Sequence, residues 1–319
     1  MRLSQQGVVN GPDAGSTRAG PGRRTPLPGT ETQPMVNDDH VGTVKGSTVG
    51  EGSKEPVIDV LDDAWGAIVE LGDALDVGEW ELPSECPGWT VRDVLSHMVG
   101  TERSLLGDAS PDPLEPPHVH NEIGARNEGW VAALRWHSGP QVLAEFRDVT
   151  ARRLAELRSW PTARFDEVGP SPLGMVPYRE FMNVRVMDCW VHEQDIRVAT
   201  ARPGHREGPA AGLAIGRLAS AMPFIVGRQA KAPDGSSVRF AWTEGDAGHL
   251  DVVVSSGRAA VADALEGEPT TELRMDLEVF WRLACGRVTG EAARAAGLLE
   301  IRGDEELGRR VADSMAFMI

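Results

Sequence analysis

From Pro56 onward, apolar residues recur at three- and four-residue intervals. Val57, Val60, Leu61, Ala64, Ile68, Leu71 and Leu75 form one stripe, which predicts an amphipathic helix over 56–75. Asp76-Val-Gly ends it. After a loop, Thr90-Val-Arg-Asp93 opens a second helix to about 106; Thr90 caps its first turn and Asp93 favours its positive end. Val91, Val94, Leu95, Met98, Val99 and Leu105 are its buried stripe, with His97 on the flank. A Pro- and Asp-rich loop, 107–121, carries His118 and His120. A third helical region spans 122–160, with a break expected at Ser138-Gly-Pro140. After the Gly- and Pro-rich stretch 168–177 a fourth helix follows to about 200. Val184, Met187, Val191 and Val198 are its core stripe, and Asp188, His192 and Asp195 lie together beside it.

Past Arg202-Pro-Gly204 the pattern changes. An apolar helix over 208–226 leads into alternating segments at 237–242, 249–254 and 272–275, which read as strands, and 276–284 and 305–315 read as helices. The predicted fold is mainly α: a four-helix bundle over 56–203, then a smaller α+β domain over 204–319. Residues 1–55 hold 15 Gly and Pro, no aromatic residue and equal numbers of acidic and basic side chains, the composition of a disordered tail. Arg2 is followed by polar residues rather than the apolar run of a signal peptide, and no later apolar segment of 18 residues is expected, so the expected address is the cytoplasm, with no membrane partner. Met35 is an alternative start.

Charge narrows the partners. With 32 Lys and Arg against 48 Asp and Glu, the net charge of −16 repels phosphate backbones, so no nucleic acid partner is expected. Arginine supplies 29 of the basic residues and lysine 3, a bias that fits a high-GC genome. Cys86, Cys189 and Cys285 are scattered, with no CxxC, which suits a reducing compartment and argues against a disulfide framework or a Cys-based zinc site.

The chemistry concentrates on one helix. Asp188 and His192 stand four residues apart on one face, with Cβ atoms about 5–6 Å apart, a separation from which a carboxylate and an imidazole can share an ion. His97 holds the same flanking position on the second helix. Bundles commonly build metal sites from facing helices, and three N/O ligands leave a fourth position open. Each residue also has an ordinary reading, His97 as a hydrogen-bonded core histidine and Asp188/His192 as a surface contact, and spacing alone leaves both open. Cys189 and Glu193 point about 100° off this face and read as packing and surface residues. Trp89 and Trp190 read as core or pocket walls.

Cys86-Pro-Gly-Trp-Thr-Val-Arg-Asp-Val-Leu-Ser-His97, followed by Arg185-x-x-Asp-x-Trp-x-His-Glu-Gln-Asp-Ile-Arg197, resembles the mycothiol-dependent maleylpyruvate isomerase family. The resemblance runs from about 56 to the carboxyl terminus. It implies a DinB-like four-helix fold, then a sterol-carrier-like domain, and a divalent ion, most often Zn2+, on His97, Asp188 and His192. Family isomerases carry Glu where Asp188 stands. The resemblance also implies mycothiol as the thiol cofactor and a small-molecule substrate with a carboxylate, held by Arg287 of the stretch Phe280-Trp-Arg-Leu-Ala-Cys-Gly-Arg287. Arg287 would otherwise pair with a local acid. Asp195 either orients His192 or a substrate donor, or pairs with a neighbour such as Arg197. A lid role for His118 and His120 stands against a solvated loop. The expected molecule is a monomer or small homo-oligomer. It is either an isomerase or S-transferase that activates the thiol, or a metal-stabilised module that holds an apolar ligand or protein partner.

Overall fold

We describe residues 55–243 and 248–317 of a computed structural model; all lie in one compact unit, Gly50–Ile319. The expected tail, 1–55, falls outside these residues except for Glu55.

The helical part contains α1 (Pro56–Asp73), α2 (Val91–Leu105), α3 (Glu122–Leu134), α4 (Gly139–Ser159) and α5 (Tyr178–Ala199). Local signals set their ends. Pro56 begins α1, and Thr90 and Asp93 form a reciprocal capping box at α2. The break at Ser138-Gly-Pro140 separates α3 from α4, where Ser138 and Gln141 form a second box. Gly139 also permits close approach, since a Cβ there would lie 2.1 Å from the Trp80 ring. Helix α1 packs on α4 and α5, and α2 on α4 and α5, closing a ring of four helices, while α3 lies against α2.

The Gly- and Pro-rich stretch 168–177, given no element from the sequence, is a hairpin of β1 (Val168–Ser171) and β2 (Gly174–Pro177). Gly174, at φ +93°, supplies the left-handed turn residue that lets the strands reverse.

The α+β part begins with α6 (Pro209–Ser220), the single turn α7 (Met222–Phe224) and a π-helical turn, Ile225–Gln229. This run, Pro209–Gln229, is 21 residues long with mean hydropathy 1.5. It is long and apolar enough to correct the expectation that no such segment occurs. Here it is interrupted at Ala221, between α6 and α7, and buries Ala210, Ala214, Leu218, Met222 and Ile225. Helix α6 packs along α5 and touches α1. Next come β3 (Ser237–Trp242), β4 (His249–Ser255), β5 (Arg258–Ala262), β6 (Thr271–Met275), α8 (Leu277–Ala284), α9 (Gly290–Ala295), β7 (Glu300–Gly303) and α10 (Glu305–Asp313). The sheet order is β5-β4-β3-β6-β7, with β3 and β6 parallel and the other neighbours antiparallel. Strands β5 and β7 and helix α9 lay outside the sequence reading. They are short, and the two strands are edges with little apolar alternation.

Candidate metal centre

Helix α5 is buried on nearly every side from Met182 to Ile196, because α6 and residues 200–208 cover the face turned away from the bundle. This corrects the reading of Glu193 as a surface residue. It is fully buried and accepts hydrogen bonds from Arg197 and, across 2.6 Å, pairs with His205.

The opposite face holds the candidate site. His97 of α2 and Asp188 and His192 of α5 converge at the helix crossing. The Nε2 of His97 lies 3.5 Å from Oδ2 of Asp188, and the Nε2 of His192 lies 3.7 Å from Oδ1 of Asp188. The two imidazoles are 4.8 Å apart, edge to face. Neither gap is a good hydrogen bond. Both are close to the edge of a tetrahedron with bonds of about 2.0–2.1 Å, which is about 3.4 Å. His97 is 5% exposed, and its Nδ1 has no hydrogen-bond partner.

Asp195 orients the second imidazole. Its Oδ2 lies 2.9 Å from Nδ1 of His192, so in the neutral ring the proton sits on Nδ1 and the lone pair of Nε2 faces Asp188. Arg287, from the loop after α8, grips Asp195 with two hydrogen bonds of 2.9 Å, Nε to Oδ1 and Nη2 to Oδ2, while its Nη1 donates to the carbonyl of Cys285. Of the two readings of Asp195, the bond to His192 is present; its arginine partner is Arg287, and Arg197 turns to Glu193. The fork of Arg287 that would hold a substrate carboxylate is here engaged by Asp195.

Electrostatics follow from burial and these pairs. Burial works to raise the pKa of Asp188, but Arg185, His192 and His97 outweigh it and hold the carboxyl well below the ordinary range. Asp195 is likewise lowered, burial being outweighed by Arg287 and the hydrogen bonds from His192 and Arg287. Burial lowers His97 and keeps it neutral, with Asp188 pulling the other way. All three cysteines are pushed up, chiefly by burial: Cys189 and Cys285 to about 12, and Cys86 well above its usual value with Asp195 adding to the effect. None is a thiolate at neutral pH.

Cys86 and Glu128 were not singled out as site residues from sequence, whereas Trp89 was read as core or pocket wall and His118 as lid or solvated loop. Cys86 lies 3.2 Å from Oδ2 of Asp195 and 3.9 Å from Nδ1 of His192, so it lines the inner wall of the site. Trp89 forms another wall, its ring 5.3 Å from that of His97. Glu128 fixes it by accepting from Trp89 Nε1 at 2.6 Å, and His118 meets the same carboxylate oxygen at 2.7 Å. His118 therefore anchors its loop one residue away from the site, while His120 is exposed. Gly88 makes this possible, because a Cβ there would lie 3.1 Å from the His118 ring. Arg282 of α8 pairs with Glu85 of the same loop.

Residues 61–197 match the mycothiol maleylpyruvate isomerase N-terminal domain family, and residues 228–315 match the SCP-2 sterol transfer family. Two uncharacterized proteins of Mycobacterium tuberculosis, MT0763 and Rv0738, are each 30% identical over 151 residues, 47% of this chain and 69% of theirs. The crystal structure of the mycothiol-dependent maleylpyruvate isomerase aligns at 17% identity over 73% of this chain and 89% of its own, with a TM-score of 0.49. The ubiquinone synthesis protein UbiJ-SCP2 aligns at 18% identity over 34% of this chain and 96% of its own, with a TM-score of 0.27. The chain belongs to the mycothiol-dependent maleylpyruvate isomerase family, with an SCP-2 segment in its carboxyl-terminal half.

Proposed function

We propose that this protein is a metal-dependent cytoplasmic enzyme, divided at 203/204, that uses a low-molecular-weight thiol, mycothiol, on an electrophilic small molecule. The product is either an isomer or a thioether. The observation that carries the reading is the convergence of His97, Asp188 and His192 with ion-sized gaps between two imidazole nitrogens and one carboxylate. These three would hold the ion, and their N/O character suits Zn2+ among other divalent metals. When bound, such an ion supplies the positive charge that deprotonates a coordinated thiol at neutral pH.

The chain's own residues do the rest. Asp195 keeps the proton of His192 on Nδ1, and Arg287 keeps Asp195 ionised and in place. Trp89 and Cys86 narrow the space beside the histidines. All three cysteines are buried and out of reach of a substrate in solution, so the reacting thiol is an external one. Arg287 is 11% exposed on its side chain; for it to hold a substrate carboxylate, that carboxylate must share or replace Asp195.

The match of residues 228–315 to the SCP-2 family favours a second reading, a metal-stabilised module that holds an apolar ligand. Thiol-dependent turnover separates the two. With mycothiol and maleylpyruvate or a related electrophilic acid, the zinc-loaded wild type is expected to turn over and His192→Ala to lose at least about a hundredfold. No turnover by the wild type with the ion bound supports the module.

A further inference from the structure

Behind Asp188 a line of charges runs through the bundle away from the site. Arg185, one turn before Asp188, donates from Nη1 to Oδ2 of Asp188 at 2.5 Å. Its Nε and Nη2 donate at 3.0 and 2.7 Å to a single oxygen, Oε1 of Glu102 on α2. The other oxygen of Glu102 lies 3.4 Å from Nε of Arg153 on α4. Arg153 ends the line, donating from Nη1 to Glu156 at 2.6 Å and from Nη2 to the hydroxyl of Tyr178 at the start of α5. Glu102 is fully buried, Arg153 is 1% exposed and Arg185 4%. From residue 188 to residue 178 the line spans about 15 Å along α5.

Stability does not account for this arrangement. Taking charges out of water costs several kcal/mol per ion in general, and well-packed apolar residues in place of a buried Arg-Glu-Arg triad are often neutral or stabilising. The position of Glu102 does suggest a reason. It sits on α2 five residues after His97, and Arg185 sits on α5 three residues before Asp188, so their ion pair ties together the two helices that bring the candidate ligands into reach. The same guanidinium then spends its remaining face on Asp188, which fixes the carboxylate rotamer.

We propose that Glu102 is a positioning residue for the metal centre: through Arg185 it sets the α2–α5 spacing and the orientation of Asp188. This rests on the metal reading given above. Arg153 stands behind Glu102 as a countercharge at 3.4 Å with no hydrogen bond between them, so the line of charge extends to the far wall of the bundle.

The test uses the full chain, freed of metal, titrated with Zn2+ against a chromophoric chelator, with Co2+ absorption as the report on ligand geometry. Glu102→Gln keeps the shape and removes the charge. The double variant Glu102→Leu with Arg153→Met replaces the rear of the line by apolar groups. Val142→Ala, a buried α4 residue off the line, controls for general loss of stability. The expected result is Zn2+ affinity about tenfold weaker in both line variants, altered Co2+ bands, and unchanged affinity in Val142→Ala. Affinity within about twofold of wild type in a folded line variant, as judged by circular dichroism, overturns the proposal. Should one line variant fail to fold, the other decides. A wild type that takes up neither ion overturns the metal reading itself, and this proposal falls with it.

Discussion

The interiors of the two parts of the molecule are built on opposite principles. Among the described residues, the sheet core is apolar: Val238, Phe240, Val252, Val254, Leu273 and Met275 are 0–4% exposed. Its buried charge is Asp251, matched by a bidentate Arg239 at 2.7 and 2.8 Å. The bundle instead buries His97, Glu102, Glu128, Arg153, Arg185, His192, Glu193 and Asp195 beside its apolar stripes. Buried charge is expensive unless paired and hydrogen-bonded. Four of these eight lie on α5 and the rest on the helices around it, so the buried charge is gathered about the helix that carries Asp188 and His192.

The sharpest way to break this comparison is Asp195→Asn. It leaves Arg287 without its charge partner and His192 with a weaker acceptor, so thermal unfolding should show a loss of about 3 kcal/mol or more. The pH dependence carries a clear sign. Asp188 and Asp195 have folded values below their unfolded ones, so each contributes stability fully present above about pH 4 and lost as the pH falls through the folded value. His97, held neutral by burial, acts in the same direction below about 6.5. The metal-free wild type should therefore lose stability steeply on acidification, and Asp195→Asn, though weaker at neutral pH, should show a shallower acid limb. Equal slopes would break the comparison.

On the sheet side, Leu273→Ala should cost about 3 kcal/mol through the cavity it leaves, with an acid slope identical to wild type. A changed slope would mean that the sheet interior is coupled to titrating groups after all. The smallest effect belongs to Arg239→Gln. Its own side chain is 24% exposed but Asp251 is 1% exposed; with a glutamine donor left in place and water within reach, loss of the charge partner should cost about 2 kcal/mol, between the surface-pair and buried-pair ranges. A much larger loss would erase the distinction between the two interiors.

The elements that frame this contrast were legible in the residues, the buried charges much less so. The stripes on α1, α2 and α5 and the alternation in β3, β4 and β6 are strong periodic signals, and the capping box at Thr90 and the break at Ser138-Gly-Pro140 fix helix ends through local hydrogen bonds. His97, Asp188, His192, Asp195 and Arg287 come together in the structure, since flank positions on helices are set by spacing and the two motifs name the helices that face each other. The pairings behind them were not legible. Glu102 follows Met98 by four residues on the apolar stripe of α2, a misplaced charge that marks a buried partner, but which arginine it meets depends on how α5 is rotated. Glu193 was misread for a related reason: the pattern of α5 does not reveal that α6 returns to cover its outer face. The hairpin β1–β2 escaped because Gly and Pro, read as breakers, here shape a tight turn.

The central claim is that His97, Asp188 and His192 form one ion site. Calorimetric titration of the metal-free full chain with Zn2+ tests it most directly. The account predicts one tightly bound ion per chain in the wild type and loss of that tight event in His97→Ala and in His192→Ala, each still folded by circular dichroism. Tight binding that survives both substitutions, or no binding by the wild type, would contradict it.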